Sequence, residues 1–517
     1  MTSESAPKYY ITTAIDYVNA NPHIGTAYEK VAADFIARSR RLMGFDTRFL
    51  MGNDEHSINV AKSAAQQGLA PKDYCDQMER KFREVWELLD ISFDDFIRTT
   101  EERHAKAVQA IFKAIHETGD VYKGKYEGYY CDSCEAFLQE KDLVDGKCPH
   151  HKKEPRWLEE DNYFFALSRF GDRLLQHIKD NPDFIRPESR RNEVLKVIEG
   201  GLEDVSVSRS GAEWGIPLPI DDQHVVYVWF DALINYISAL QYPDDAEGLV
   251  QRYWPCDLHV IGKDITRFHC IIWPAMLMSA GIELPRGVWA HGFVSVKGER
   301  LSKSLGNVIA PADAVERFGV DGFRYLFLRE VPFNRDGDFS WDGYAERYNA
   351  DLANDLGNLL SRTLAMVKKY HDLQVPPFNN SDTADSDFIA TMQQQVIEYR
   401  RHLDDYALHA ALAATWTIIQ AANRYIEDNK PWALAKDADQ QERLGTVLRN
   451  LLEALRLVSV MVQPAMPTKA IEIRQQLGLP ADFAQLLYDS ELRLEDREWH
   501  RVEPGSALFP RLESATS

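Results

Sequence analysis

Two short stretches, far apart in the chain, carry side chains suited to phosphate. His23-Ile24-Gly25-Thr26 follows an Asn21-Pro22 turn, and Gly298-Glu299-Arg300-Leu301-Ser302-Lys303-Ser304 puts two cations and two hydroxyls in one loop. In the first, Gly25 lets a ring approach the backbone closely, and the start of a helix offers free N–H groups to phosphate oxygens. His23 can donate as charge builds on an α-phosphate. In the second, Arg300 and Lys303 can grip a triphosphate with Ser302 and Ser304 beside them, and Lys303 can follow the leaving pyrophosphate. That work is electrostatic. His291-Gly292-Phe293, just upstream, adds another polar ring. Taken singly, each stretch also suits a plain turn or a solvated loop. Together they point to ATP-driven activation of a carboxylate.

Cys131-x2-Cys134-x13-Cys148-x2-His151 supplies four N/S ligands in two close pairs, the spacing of a tetrahedral zinc knuckle. Four protein ligands leave no open position, so one structural Zn²⁺ is expected. His150 is adjacent, but the two-residue spacing favours His151. Asp54 follows a predicted strand at its carboxyl end, where a carboxylate can bind an α-ammonium. Apolar and aromatic residues flank the predicted nucleotide strands: Ile15, Tyr17, Trp229, Ala232, Tyr236, Ile265, His269 and Trp273. By spacing alone such stripes equally suit core packing.

These residues need a frame. Tyr9 to Ala14 reads as a buried strand. Tyr28, Val31, Ala32, Phe35 and Ile36 have helical spacing and end at Gly44, and Arg48 to Met51 gives a second strand. That βαβ opening predicts a Rossmann-like parallel sheet. Val225 to Phe230 and Leu258 to Gly262 read as further strands. The expected division is a first catalytic half over 1–115, a connective insertion over 116–224 with its knuckle at about 126–163, and a second half over 225–325. A linking or stem-contact segment follows over 326–350, then an all-α bundle over 351–476 and a C-terminal segment over 477–517 packing back on the core.

A chain of 517 residues exceeds one core. A net charge of −21 argues against indiscriminate nucleic-acid coating but permits a local basic face. The N-terminus lacks the pattern of a signal peptide. Six cysteines in so long a chain make no disulfide scaffold. A cytoplasmic location and no membrane association are expected.

Ala14-Ile15-Asp16-Tyr17, the His-Ile-Gly-x turn, Gly52-Asn53-Asp54-Glu55-His56, the Cys-Pro-x-His end of the knuckle, Val226 to Ala232, Ile261-Gly262-Lys263-Asp264-Ile265 and Phe268-His269-x3-Trp273-Pro274 together resemble the methionyl-tRNA synthetases, a class I aminoacyl-tRNA synthetase family. The resemblance covers Tyr10 to about Arg511. It implies formation of methionyl-adenylate from methionine and ATP, then transfer to the terminal adenosine of tRNA(Met). Mg²⁺ would accompany the ATP. The apolar residues above match the family's methionine pocket, Asp54 its ammonium ligand, and Gly262 and Asp264 positions near the ribose. Asn358, Arg362 and Trp432 match its anticodon readers. The catalytic set is His23, Thr26, Lys303 and Arg300. Thr26 stands where the family usually has a second histidine, and Arg300-Leu301 where it usually has Lys-Met. The chain's last residues resemble the end of the family's common core, which implies a monomer.

Overall fold

The computed structural model describes residues 6–131, 136–138, 140, 143–149, 152–211, 213–301, 308–377 and 385–513. Seven strands form a parallel sheet: β1 (Lys8–Thr13), β2 (Asp16–Tyr17), β3 (Asp46–Asp54), β4 (Asp95–Arg98), β5 (Ile185–Arg186), β6 (Leu258–Gly262) and β7 (Val288–His291). The order is β2-β3-β1-β6-β7-β5, with β4 also paired to β3. β1 and β6 lie side by side, with Ile11, Thr12 and Thr13 opposite Leu258, His259 and Val260. From β1 the sheet grows one way, from β6 the other. Their carboxyl ends are therefore the switch point where open α/β sheets bind ligands.

Both faces of the sheet are buried, so its strands read as nearly continuous apolar runs. Tyr9 and Ile11 enter the core beneath helix α1 (Ile24–Leu42), while Tyr10 joins Leu50 and Ile97 on the opposite face. The stripe of Tyr28, Val31, Ala32, Phe35 and Ile36 is buried along α1. The helix ends at Gly44, whose φ of +86° suits a residue without a Cβ.

Between β4 and β6 the chain builds a four-stranded antiparallel sheet from Ala136–Leu138, Val121–Cys131, Arg156–Phe165 and Val205–Ser206. Ile185–Arg186 leaves this region and pairs with Val288 and Trp289, adding an edge strand to the parallel sheet. One strand expectation needs correcting. Val225 to Phe230 does not run as a strand: Asp221–Val226 pairs antiparallel with Ser208–Ser210, and Val228–Ala232 is helical. β propensity gives way there because the helical turn places Asp231 where two histidines bind it.

The C-terminal part is helical. Ser386–Asp404, Leu408–Asn429, Gln441–Met461 and Pro467–Leu477 pack as a bundle. The stripe Leu444, Val447, Leu448, Leu451, Leu452 and Leu455 is fully buried. Arg324 ties this bundle to the sheet. Its buried guanidinium donates to Asp34 at 2.6 Å, to the Leu89 carbonyl at 3.0 Å and to the Pro464 carbonyl at 2.9 Å. Among the described residues no helix is long and apolar enough to cross a membrane.

Candidate active site

The turn at the end of β1 caps α1. His23 is the N-cap, and its Nδ1 accepts the backbone N–H of Thr26 at 3.2 Å. The Thr26 hydroxyl accepts the His23 N–H at 3.4 Å, completing a reciprocal capping box. Because Nδ1 accepts, the hydrogen of a neutral His23 ring lies on Nε2, the nitrogen suited to donate to phosphate. Thr26 thus orients the ring.

Leu301 and Ile309 both meet this turn. A Cβ on Gly25 would stand 3.0 Å from His23 Cε1 and 3.2 Å from Leu301 Cδ1. The N–H of Ile24 donates to the carbonyl of Ile309 at 3.0 Å. Leu301 and Ile309, which precede and follow Ser302, Lys303 and Ser304 in the sequence, thus both stand against the His23 turn. Those three residues lie outside the described ones, as does the side chain of Arg300. Nearby, a Cβ on Gly292 would overlap the backbone of Arg335, so only glycine fits. A Cβ on Gly262 would meet Asp264 Oδ1 at 2.7 Å, so that carboxylate folds back over the end of β6. Lys263 pairs with Asp336 at 2.7 Å and lies 4.6 Å from the ring of Phe293.

Beneath α1 runs a buried charged chain. Lys30 donates to the Ala14 carbonyl at 3.0 Å and meets Asp16 at 3.1 Å and Glu29 at 2.7 Å. His291 Nε2 meets the other oxygen of Glu29 at 3.0 Å. Burial pushes Glu29 upward, but Lys30 and His291 outweigh it and hold it below its usual range. Burial lifts Asp16 to about 6 despite Lys30. The chain fastens the Ala14–Tyr17 loop to the helix that carries the nucleotide turn.

That loop forms one wall of the aromatic group. Tyr17 is the ladder partner of Asp54, and Ile15 packs against Gly52, where a Cβ would meet it at 2.9 Å. Tyr17 stands edge-on to Trp229 at 6.1 Å. Trp229 stacks on Phe268 at 3.8 Å, with the planes 10° apart. Ala232, Tyr236, His269 and Trp273 are buried. The Tyr236 hydroxyl lies 2.6 Å from His269 Nε2, and His269 Nδ1 lies 3.1 Å from the Ile265 carbonyl. A carbonyl only accepts, so the ring hydrogen is on Nδ1 and the tyrosine donates to Nε2. His269 lies in a short π-helical segment, Phe268–Ile272, a distortion frequent at functional sites.

Sequence reasoning missed several members of this region. Asp231 is buried between His56 Nδ1 at 2.7 Å and His104 Nε2 at 2.6 Å, and His104 Nδ1 reaches Ser238 at 2.8 Å. Burial raises Asp231, but the two histidines outweigh it and hold it below its ordinary value. Phe268 and His259 were also outside the expected pocket. Phe268 had a signal, standing beside His269. His104 sits in a run of charged residues and had none.

Comparison with known proteins decides the family. A profile described as tRNA synthetases class I (M) matches residues 9–156 and 151–364, and one described as the anticodon binding domain of methionyl tRNA ligase matches 375–510. The methionine–tRNA ligase of Caldanaerobacter subterraneus subsp. tengcongensis is 46% identical over 505 residues, covering 98% of this chain and 79% of that protein. That of Brucella suis biovar 1 is 47% identical over 485 residues, covering 93% and 94%. The solved methionyl-tRNA synthetase of Mycobacterium tuberculosis in complex with methionyl-adenylate superposes with a TM-score of 0.94 at 43% identity, over 98% of this chain and all of that one.

The chain belongs to the class I methionyl-tRNA synthetase family. Its parallel-sheet domain and helical C-terminal domain are those of the family.

The expected anticodon residues lie on two helical segments, Asn358–His371 and Pro431–Leu434. Asn358 is exposed at the start of Asn358–His371, and Arg362 is one turn on. Arg362 Nη2 pairs with Glu427 at 2.7 Å, close in sequence to Trp432, which is 38% exposed. Lys430, with φ of +46°, turns the chain so that Pro431 and Trp432 start a new helix. At the expected knuckle, the Cys131 and Cys148 thiols are buried. Lys152 N–H donates to the Cys148 carbonyl at 2.8 Å and Cys148 N–H to that of Lys153 at 2.9 Å. Cys134 and His151 lie outside the described residues. Among the described residues no group of three or more potential ligands is gathered.

Proposed function

We propose that the switch-point cleft activates methionine with ATP to methionyl-adenylate, releases pyrophosphate, and then passes the methionyl group to the 3′-terminal adenosine of tRNA(Met). The chain is an aminoacyl-tRNA ligase of class I. The observation that carries the site assignment is the seating of Leu301 and Ile309 on the His23–Gly25 turn. These two residues lie on either side of Lys303 in the sequence, and their contact with the turn that opens α1 supports the reading.

The methionine carboxylate is already ionised, so no general base is needed in the first step. Asp54 takes the α-ammonium. Ile15, Tyr17, Trp229, Ala232, Tyr236, Ile265, His269 and Trp273 enclose the thioether. His23 Nε2 donates to the α-phosphate, with Thr26 holding the ring. Arg300 and Lys303, with Ser302 and Ser304, stabilise charge on the β- and γ-phosphates. Gly25, Gly262, Asp264, His291, Gly292 and Phe293 shape the adenosine side. A Mg²⁺ accompanying the triphosphate would screen its charge. Asn358, Arg362 and Trp432 read the anticodon.

Cys131, Cys134, Cys148 and His151 would hold one structural Zn²⁺. The burial of two thiols suits that ion. The domain limits given above, the monomeric state and the cytoplasmic location belong to the same reading. Methionine-dependent ATP–pyrophosphate exchange tests the function. Exchange driven by leucine or valine instead, or none with any amino acid, would reject it.

A further inference from the structure

Beneath Tyr236 and Trp273 lies a histidine to which the reading above gives no task. His259, on β6, is 0% exposed. Its Nε2 stands 3.4 Å from the indole nitrogen of Trp273, and its Nδ1 stands 2.7 Å from the hydroxyl of Thr12 on β1. Its ring lies against Tyr236, with centroids 4.2 Å apart. Thr12 and His259 are register partners across the β1–β6 ladder, so the pair spans the switch point itself.

An indole N–H can only donate. His259 Nε2 must accept it, so the ring hydrogen sits on Nδ1 and is donated to Thr12 Oγ1. The Thr12 hydroxyl is then left for the Cys256 thiol, which it also bonds. The thiol donates to the Tyr10 carbonyl at 3.3 Å, and the Tyr10 phenol donates to the Tyr236 carbonyl at 2.8 Å. Every donor in this buried chain finds an acceptor, and the chain returns to Tyr236. Burial, with His269 beside it, holds His259 neutral far below the ordinary histidine range. Its tautomer, not its charge, is the variable.

We propose that the Trp273 indole and Thr12 together fix the Nδ1-protonated tautomer of His259, the indole by donating to Nε2 and the threonine by accepting from Nδ1, and that this tautomer holds the indole of Trp273 and the ring of Tyr236 in position to receive methionine. Thr12 and His259 are positioning residues on the amino-acid side of the reaction. The inference rests on the proposed function. In the other tautomer two N–H groups would face each other between His259 and Trp273, and the indole would turn away. The strand positions of Thr12 and His259 put them below the pocket, so the effect falls on methionine and spares ATP.

The test uses the full chain labelled with ¹⁵N-histidine, the His259 signals being identified by their loss in His259→Asn. The wild type is expected to show a protonated Nδ1 and a bare Nε2. Thr12→Val keeps the shape and removes the hydroxyl. It is expected to weaken the preference for the Nδ1-protonated form, leaving Nδ1 only the Cys256 sulfur at 3.6 Å, and to raise the methionine KM in pyrophosphate exchange about tenfold, the scale of one broken buried hydrogen bond. The ATP KM should stay the same, and Thr12→Ser should restore both readouts. A protonated Nε2 in the wild type overturns the proposal whatever the kinetics, and so does an unchanged methionine KM in Thr12→Val. If that variant does not fold, the wild-type spectrum still decides. Wild-type protein without methionine-dependent exchange sinks the proposed function instead, and the spectrum then judges the tautomer separately.

Discussion

Tyr236 and His269 share a hydrogen bond of 2.6 Å in which the phenol donates and the imidazole accepts. The direction follows from the other face of the ring, where Nδ1 is committed to the carbonyl of Ile265. It also requires a neutral histidine. Burial lowers His269 to about 4, with the Ile265 carbonyl and Glu29 resisting. The folded chain therefore disfavours protonation relative to the unfolded chain. The stabilising contribution is complete above the unfolded value near 6.5 and is lost as pH falls through 4. The drop is worth roughly 3 kcal/mol. Urea denaturation of wild type and His269→Gln across that window measures it. The variant should lose less stability on acidification by about this amount. His259, 6.3 Å away, adds a step of the same sign to both proteins through its burial; His269 deepens that step in the wild type, so the variant's smaller loss includes this coupling.

Gly25 sets stability against activity. It lies in the first turn of α1, where alanine is the better helix former by about 0.5–1 kcal/mol. Yet a methyl there meets the His23 ring at 3.0 Å and Leu301 at 3.2 Å. Gly25→Ala should melt no lower than wild type while adenylate formation slows on the order of 100-fold, the scale of misplacing one transition-state donor. Calorimetry and pyrophosphate exchange check the two halves. A variant that exchanges at the wild-type rate would place the nucleotide elsewhere.

Thr26 has a task that needs no charge. Its hydroxyl and N–H both bind His23. Thr26→Val loses half of the capping box, costing about 1 kcal/mol of stability. Single-turnover adenylate formation should slow about tenfold, since one oriented hydrogen bond is lost. Thr26→Ser keeps the hydroxyl and should keep the rate. Equal rates in all three proteins would reduce Thr26 to a helix cap.

The parallel sheet was legible because β1, β3 and β6 are buried on both faces and read as unbroken apolar runs. The turn at His23 was legible because a helix cap needs few residue types. The run from Val225 to Phe230 misled because a tertiary demand, the seating of Asp231 between His56 and His104, outweighed local β propensity. His104 and His259 carried no signal. Their partners stand 127 and 247 positions away, and no periodicity encodes a contact at that range.

The proposed knuckle yields a prediction that separates folding from chemistry. Cys148→Ser should abolish stoichiometric zinc, read by metal analysis, and impair aminoacylation of tRNA. Methionine-dependent exchange should persist, because the His23 turn and the Tyr236 pocket share no strand with the sheet of Val121–Cys131. A wild-type protein without bound zinc rejects the ion, and a variant that loses exchange as fully as aminoacylation rejects the separation.

Trp432 and Arg362 should govern tRNA and nothing else. The Arg362–Glu427 pair is exposed on both sides, with side chains 34% and 59% accessible, so it contributes less than about 1 kcal/mol. An anticodon base can displace it at small cost. Trp432 keeps a large apolar surface in solvent, and stacking one base on such a ring is worth about 1–3 kcal/mol. Trp432→Ala should therefore raise the KM for tRNA(Met) at least about tenfold, and Arg362→Gln should do the same more weakly. Pyrophosphate exchange should not change in either, because both side chains belong to helices and not to the parallel sheet that carries the proposed active site. A Trp432→Ala protein that charges tRNA with the wild-type KM would remove this residue from recognition. One that lost exchange in equal measure would show that the substitution had damaged the fold.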